Sequence, residues 1–250
     1  QFVFRQGRSR ETSYARDYDE LMELLRDCAR RVDSPDTQVY WQLSRGTAPR
    51  NHPFPKDAKS DLVETYSNEV YDLIQERVSS LSEQQRARVF FIYQYSDTAL
   101  VSSGANFFGQ WWCDAVGAIN VAQDLTNDNA GEVNMEQVYA WNPDTVVVTN
   151  FTAAGPEDLM NNRIGNYDWS TVEAVQQGRV FKMPLGMYRS YTPGADTPVT
   201  LLWLAKSVYP ELFEDIDITQ RARSYYQDVF GVALTDAHIA SIFTPTAAAA

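Results

Sequence analysis

Apolar positions along this chain of 250 residues change rhythm repeatedly, and each change predicts an element. Near the start, Tyr14, Tyr18, Leu21, Leu24, Leu25 and Cys28 recur at helical spacing, and Ser34-Pro35-Asp36 ends the run. Residues 37–43 read as a short strand. Residues 44–57, rich in Pro, Arg, Gly and Asn without a period, read as a loop or linker. Ser60 then caps a long helix to about Ser82, whose apolar face is Leu62, Tyr66, Val70, Leu73, Ile74 and Val78. The run RVFFIYQY, residues 88–95, is β-branched and aromatic, which predicts a strand buried on at least one side. A polar loop over 96–104 leads into a helix over 106–116, and Gly117 suits the left-handed position just past its end.

The second half has shorter periods. Residues 119–122 read as a brief strand. Asn134 caps a helix over 135–141, Pro143 cannot continue it, and residues 145–150 have the character of a central strand. Short helices are expected over 157–162 and 170–175. A turn at Gln177-Gly178, a strand over 179–183 and an irregular loop over 185–196 follow. Helices are expected over 197–208, 219–230 and 235–242, with a frayed alanine tail. Strands alternating with helices predict an α/β fold, a Rossmann-like and mostly parallel sheet flanked by helices. Ligands of such sheets sit outside the carboxyl ends of the strands, which picks out the loops 96–104, 150–155 and 185–196.

Charge narrows the partners. A formal charge of −12 disfavours nucleic acid, whose phosphates need a basic face. It is compatible with docking on a basic membrane-protein surface, or with cationic or metal-chelate cargo. An aromatic content of 13% suits a flat or greasy guest, although any single ring is more often core. No run is long enough to span a bilayer and no leader is visible; removal of a signal or lipid anchor stays open. Cys28 and Cys113 show no small-domain staple pattern, and His52 and His238 stand apart without zinc-ligand spacing. Asp215 and Asp217 read as a solvated turn. No nucleophile elbow, phosphate-binding Gly-Lys-Ser/Thr or dinucleotide glycine fingerprint is present, so no catalytic set and no intrinsic cofactor or metal are expected.

A series of short motifs then occurs in a telling order. A long helix precedes RVFFIYQY, and a loop ends in Ser102-Ser103-Gly104. The turn Gly117-Ala118-Ile119-Asn120-Val121-Ala122 comes next, followed by Val133 to Gln137 and Asn142-Pro143-Asp144. Ala174 to Phe181 and the LAKSVYPELF run, Leu204 to Phe213, complete the series. Together they resemble the second lobe of the periplasmic-type substrate-binding proteins of iron-siderophore, haem or cobalamin ABC importers, the class whose lobes are joined by one helical backbone. The resemblance implies three parts. Residues 1–58 would be a remnant of, or a substitute for, a first lobe; residues 59–83 the long backbone helix; and residues 84–250 the ligand-binding lobe.

It also implies a role: an extracytoplasmic, monomeric, non-enzymatic carrier that presents an iron chelate, haem or cobalamin to the permease's membrane subunits. Tyr188, Arg189 and Tyr191 fall in the loop that would face the cargo, where rings stack on a chelate plane and Arg pairs with a carboxylate or phosphate. The bland reading of that loop is a surface turn stapled by its own aromatics. Ser103, Gly104 and Asn106 stand where a helix N-terminus meets an anionic group, or where it is merely capped. Asn150 and Phe151 end a strand and would line the cleft. Glu136 matches the second-lobe glutamate that docks on the permease, or else simply favours a helix N-terminus. In the pairs Phe107-Phe108 and Trp111-Trp112, helical geometry sends one ring of each to the core. Two other readings remain: a metal-dependent enzyme or cluster-assembly protein on the same lobe, and a one-lobed interaction module.

Overall fold

The computed structural model describes residues 58–125 and 130–245. The expected helix, strand and loop of residues 1–57, with Cys28 and His52, lie outside the described residues. The first described element is the long helix α1 (Ala58–Val78). It starts before Ser60, which therefore lies inside the helix and does not cap it, and it ends before Ser82. A 3-10 turn over Glu83–Gln85 follows, and Ser82 donates its N–H and its hydroxyl to Gln85 Oε1 there, at the next element's start.

Four strands form a parallel sheet: β1 (Arg88–Ile92), β4 (Ile119–Asn120), β6 (Thr145–Val148) and β7 (Val180–Lys182), in the order β4-β1-β6-β7. Val89 to Ile92 pair with Thr145 to Val148, and Val146 to Val148 with Val180 to Lys182. The run RVFFIYQY is two strands and not one. The ladder stops at Ile92, Tyr93 donates its N–H to the Val101 carbonyl (2.8 Å), and β2 (Gln94–Tyr95) joins a second sheet. That sheet is antiparallel, in the order β2-β3-β5, with β3 (Leu100–Ser103) and β5 (Ala130–Glu132). The expected polar loop over 96–104 is thus mostly a hairpin. Its pattern was masked by the serines at 102 and 103, both fully buried; Ser102 Oγ donates to the Phe91 carbonyl at 2.8 Å.

Strand alternation divides the core between the two faces of the parallel sheet. Val89, Phe91 and Val147 face Val70, Ile74 and Val78 of α1, Trp112, Cys113 and Val116 of α2 (Phe108–Val116), and Leu201 to Ala205 of α6 (Thr197–Val208). Phe90, Ile92, Val146, Val148 and Val180 face the other way. They meet Val138 of α3 (Met135–Trp141), Leu159 of α4 (Pro156–Met160), Ala174 of α5 (Glu173–Gln176) and Trp169. Phe90, Phe91 and Ile92 are wholly buried, each worth roughly 1.5–3 kcal/mol of transfer free energy. A third cluster gathers Ala222 and Tyr225 of α7 (Ile218–Tyr225), Val229, and Ile242 of α8 (Asp236–Phe243). Leu62 and Tyr66 pack on this cluster, so the apolar stripe of α1 serves two cores in succession.

Local chemistry sets the ends. Asn134 accepts from Gln137 N–H while the Gln137 side chain accepts from Asn134 N–H, a reciprocal cap that starts α3 as expected. Gly117 closes α2 at φ 70°, a left-handed residue where a Cβ would be strained. After α7 the chain widens into a π turn over Tyr226–Phe230, so the expected helix over 219–230 is one α segment with a differently wound end. Asp217 caps α7, and Asp215 pairs with Arg77 of α1 (2.6 Å), so the two acids do separate structural work. Cys113 is a free, fully buried thiol whose pKa burial pushes well up. No helix among the described residues is long and apolar enough to cross a membrane.

Candidate functional site

The strand order places β1 in the middle of the sheet. The chain leaves β1 for β4 on one side and later returns through β6 on the other, so the connections diverge at the carboxyl ends of β1 and β6. Such a switch point is where an open α/β sheet opens a crevice. Tyr93 follows β1 at that point, and Thr149, Asn150 and Phe151 follow β6. Thr149 donates its N–H to Ile92 O (2.9 Å) and its hydroxyl to Tyr93 O (2.9 Å), while Phe151 N–H donates back to Thr149 Oγ1 (3.3 Å). This local turn stands Phe151 beside Tyr93, with ring centroids 5.1 Å apart.

The aromatic shelf extends from there. Phe107, at the N-terminal boundary of α2, meets Tyr93 edge-on at 5.2 Å and lies 5.0 Å from Phe108. Tyr191 lies beneath, 5.8–6.3 Å from Phe108, Phe107, Tyr93 and Phe151. Tyr93, Phe107, Phe108 and Phe151 are each half-buried, whereas Tyr191 is wholly buried. The Arg189 guanidinium lies over the Phe151 ring, 4.7 Å from its centroid. Four partly open rings with a cation at the margin form a broad, mostly apolar surface with one charged anchor.

The loop over 185–196 is held in place from several sides. Leu185 N–H donates to Ile242 O (2.8 Å), and Trp112 Nε1 donates to Tyr191 O (2.9 Å). Buried Asp196 accepts from Met187 N–H (2.8 Å) and from the Tyr226 hydroxyl (3.0 Å). A Cβ at Gly186 would stand 1.8 Å from Asp196 Oδ2, so that approach requires glycine. Between these ties Met187 and Tyr188 protrude, 53% and 59% exposed.

The residues picked out from sequence divide on inspection. Arg189, Tyr191 and Phe151 come together, and Tyr188 stands at the same loop's exposed crest. Tyr191, however, is under the shelf and not on it: burial pushes its phenol pKa far up, and its hydroxyl points toward Ser103 without a well-formed hydrogen bond. Ser103 is buried and accepts from Gly109 N–H (2.8 Å). Gly104 is buried against Leu125, whose carbonyl a Cβ would meet at 2.5 Å, so close packing accounts for it. Asn106 is exposed at the head of α2. Asn150 is fully buried. Its amide donates to Met183 O (2.8 Å), and its Oδ1 has no hydrogen-bond partner among the described residues. Glu136 is exposed in the first turn of α3, away from the shelf's residues in sequence and on a different element. His238 is exposed and belongs to the cap of α8.

Four contributors lie outside the residues picked out from sequence. Tyr93 falls within the run that reads as one strand, although a large aromatic at the end of a buried parallel strand is the signal to look for. Helical geometry sends one ring of Phe107 and Phe108 to the core, yet both are half-buried and reach the shelf, because Phe107 precedes the helix in extended backbone (φ −131°) and helical spacing does not apply to it. Lys182 is buried, and its ammonium donates to the carbonyls of Thr149 (2.8 Å), Thr152 (2.7 Å) and Ala154 (2.6 Å). Burial lowers its pKa to about 8, against the opposing pull of Asp158.

No group of three or more His, Cys, Asp or Glu among the described residues is placed to hold a metal ion. A separate cavity of about 200 Å³ lies between α1, α6 and α7, lined by Tyr66, Val70, Leu73, Val199, Leu202 and Tyr225. It is a gap in helix packing: its lining is mainly apolar, and Tyr66 turns its hydroxyl to Asp228. The shelf, at the sheet's switch point and carrying a cation, is the better candidate.

The family model described as periplasmic binding protein matches residues 55–185. The molybdate-binding protein MolA of Haemophilus influenzae is 25% identical over 159 residues, which are 63% of this chain and 43% of that protein. The crystal structure of a periplasmic solute binding protein from Veillonella parvula is 26% identical with a TM-score of 0.67, covering 75% of this chain and 57% of that one. Helicobacter pylori Ceue with Ni(II) bound shares the fold at 21% identity and a TM-score of 0.57, covering 72% of this chain and 55% of its own. The chain spans about half the length of the relatives it matches.

Proposed function

We propose, from the premise that this chain belongs to the periplasmic binding protein family, that it captures a solute outside the cytoplasmic membrane and hands it to an ABC importer. The cargo we infer is an iron chelate, a siderophore or haem, or cobalamin. The observation that carries this reading is the shelf of Tyr93, Phe107, Phe108 and Phe151 with Arg189 at its edge. Four rings offer face and edge contacts to a wide conjugated guest, and the guanidinium offers a partner to a carboxylate on its rim. A bare oxyanion such as the one named for the molybdate-binding relative would gain little from such a lining, since anion sites are built from N–H donors and charge.

In this reading α1 is the stiff helix between lobes, Tyr188 reaches over the guest from its exposed crest, and exposed Glu136 meets an arginine of the permease. Family relatives named as solute- or molybdate-binding proteins favour a carrier over an enzyme. The test is titration of the protein with haemin, a ferric catecholate siderophore, cobalamin and sodium molybdate, followed by tryptophan fluorescence. Saturable quenching by one of the conjugated ligands, weakened by joint replacement of Tyr188 and Arg189, is the expected result. Binding of molybdate alone, or of none of the four, overturns the cargo assignment.

A further inference from the structure

The turn that carries Phe151 is built around a cation. Residues 149–154 leave β6 and fold so that the carbonyls of Thr149, Thr152 and Ala154 converge on one point, and Lys182 Nζ occupies it at 2.6–2.8 Å from each. An ammonium has three donors and no acceptor, so the count matches with nothing left over. Lys182 reaches this point because it pairs with Val148 in the sheet register and shares the face of Val180, directly beneath the turn. On that side of the sheet a buried lysine facing only backbone oxygens is costly, and packing for its own sake would be served by an apolar residue.

On the β1 side of the turn the hydroxyls of Thr149 and Thr152 donate to Tyr93 O and Tyr95 O (2.9 and 3.1 Å), while on the β7 side, next to the lysine, Asn150 donates to Met183 O (2.8 Å). Phe151 is therefore suspended between strand β1 and its extension on one side and the lysine tripod on the other. The charged group acting on Lys182 is Asp158 of α4, whose carboxylate accepts from Gly155 N–H (2.8 Å).

We propose that Lys182 is a positioning residue for the cargo shelf, holding Phe151 in place through its three carbonyl contacts, and that loss of the lysine's proton releases the turn. A neutral amine keeps two donors and gains a lone pair, so one buried carbonyl loses its partner and faces another acceptor. Burial has already brought the group down to about 8 from the usual value of 10.5, so the change falls within an accessible range. The effect on cargo rests on the function proposed above; the effect on Phe151 does not.

The experiment follows the ring and the lysine separately. Full-length protein labelled with fluorophenylalanine gives a fluorine signal for Phe151, assigned by its loss in Phe151→Leu. Carbon-13 labelling of lysine gives the Lys182 Cε shift. Between pH 6 and pH 10 both signals are expected to move with one shared midpoint near 8, and the Phe151 transition is expected to vanish in Lys182→Arg, which keeps its charge. Haemin affinity should fall on the order of tenfold between pH 7 and pH 9 in the parent and stay flat in Lys182→Arg. A Phe151 signal that stays still while Lys182 titrates overturns the proposal. So does a Phe151 transition that persists in Lys182→Arg. If Lys182→Arg fails to fold, the shared or separate midpoints in the parent decide the matter alone. An intact Phe151 transition with no haemin binding at any pH supports the clamp and overturns the haem reading instead.

Discussion

Gly109→Ala is the sharpest test of how the shelf is mounted. Gly109 lies in the first turn of α2, directly after Phe107 and Phe108. A methyl there would stand 2.6 Å from both Cβ and Oγ of Ser103 and 3.1 Å from the Phe91 ring. Ser103 and Phe91 are both fully buried in strands, so neither can swing aside. Three effects compete. Alanine is favoured over glycine in a helix by up to about 1 kcal/mol. Forcing a methyl into a filled core costs about 1–3 kcal/mol. Stretching the 2.8 Å bond from Gly109 N–H to Ser103 Oγ costs about 0.5–1.5 kcal/mol more. The net is a destabilisation of roughly 1–3 kcal/mol, with α2 pushed off β3.

Urea unfolding followed by tryptophan fluorescence and far-ultraviolet dichroism measures it, as a lowered midpoint at unchanged slope. Ser103→Gly removes both contacted atoms together with the acceptor for Gly109 N–H, so in that background Gly109→Ala should cost much less than it does in the parent. A Gly109→Ala protein as stable as the parent, or a substitution equally costly in both backgrounds, would refute the argument that this crossing is packed to contact.

Alkaline unfolding should show opposed contributions. Burial raises Tyr66 to about 12 and drives Tyr191, Tyr225 and Tyr226 higher still. The folded phenols keep protons that unfolded ones release near pH 10, so their stabilisation is full below pH 10 and is lost as pH rises above it; phenolate absorbance of the folded protein checks this. Lys182, lowered to about 8, acts in the other sense: the unfolded chain binds the extra proton between about 8 and 10.5, so this group makes stability rise with pH there, and Lys182→Met should flatten that rise. Asp215 is held below the usual carboxylate range first by its hydrogen bond from Arg77, so its contribution is present above pH 4 and fades as pH falls; Asp215→Asn should blunt the acid dependence of the unfolding midpoint. Glu136→Arg should reduce uptake in cells while leaving cargo affinity intact, and unchanged uptake removes the docking role.

The parallel strands and the capped helices were legible because their signals are local. Asn134 with Gln137, Gly117 after α2, and the apolar run at 145–148 each determine their own neighbourhood. The antiparallel sheet was not legible, because β3 hides two serines in the interior and β5 is the short, glycine-centred strand Ala130–Glu132. The site was half legible. The switch-point rule found the loops carrying Phe151 and Arg189, since it depends only on strand ends. It did not identify Tyr191 as a buried support, because which ring of a loop turns inward is decided by partners distant in sequence: Trp112, Phe91 and the edge of α2. Lys182 was invisible for the same reason, since its three acceptors exist only after the turn above it has formed.

The bond from the Trp112 indole to the Tyr191 carbonyl gives the molecule a built-in spectroscopic reporter. Its N–H proton sits in a fully buried ring on one face of the sheet and ends on the backbone of the loop that carries Tyr191 and Arg189. The indole of Trp169, equally buried on the other face, donates to the Tyr95 hydroxyl (2.8 Å) and has no part in that loop. The two buried indole resonances therefore serve as signal and reference in one unlabelled sample: a guest that shifts this loop moves the first and leaves the second where it was.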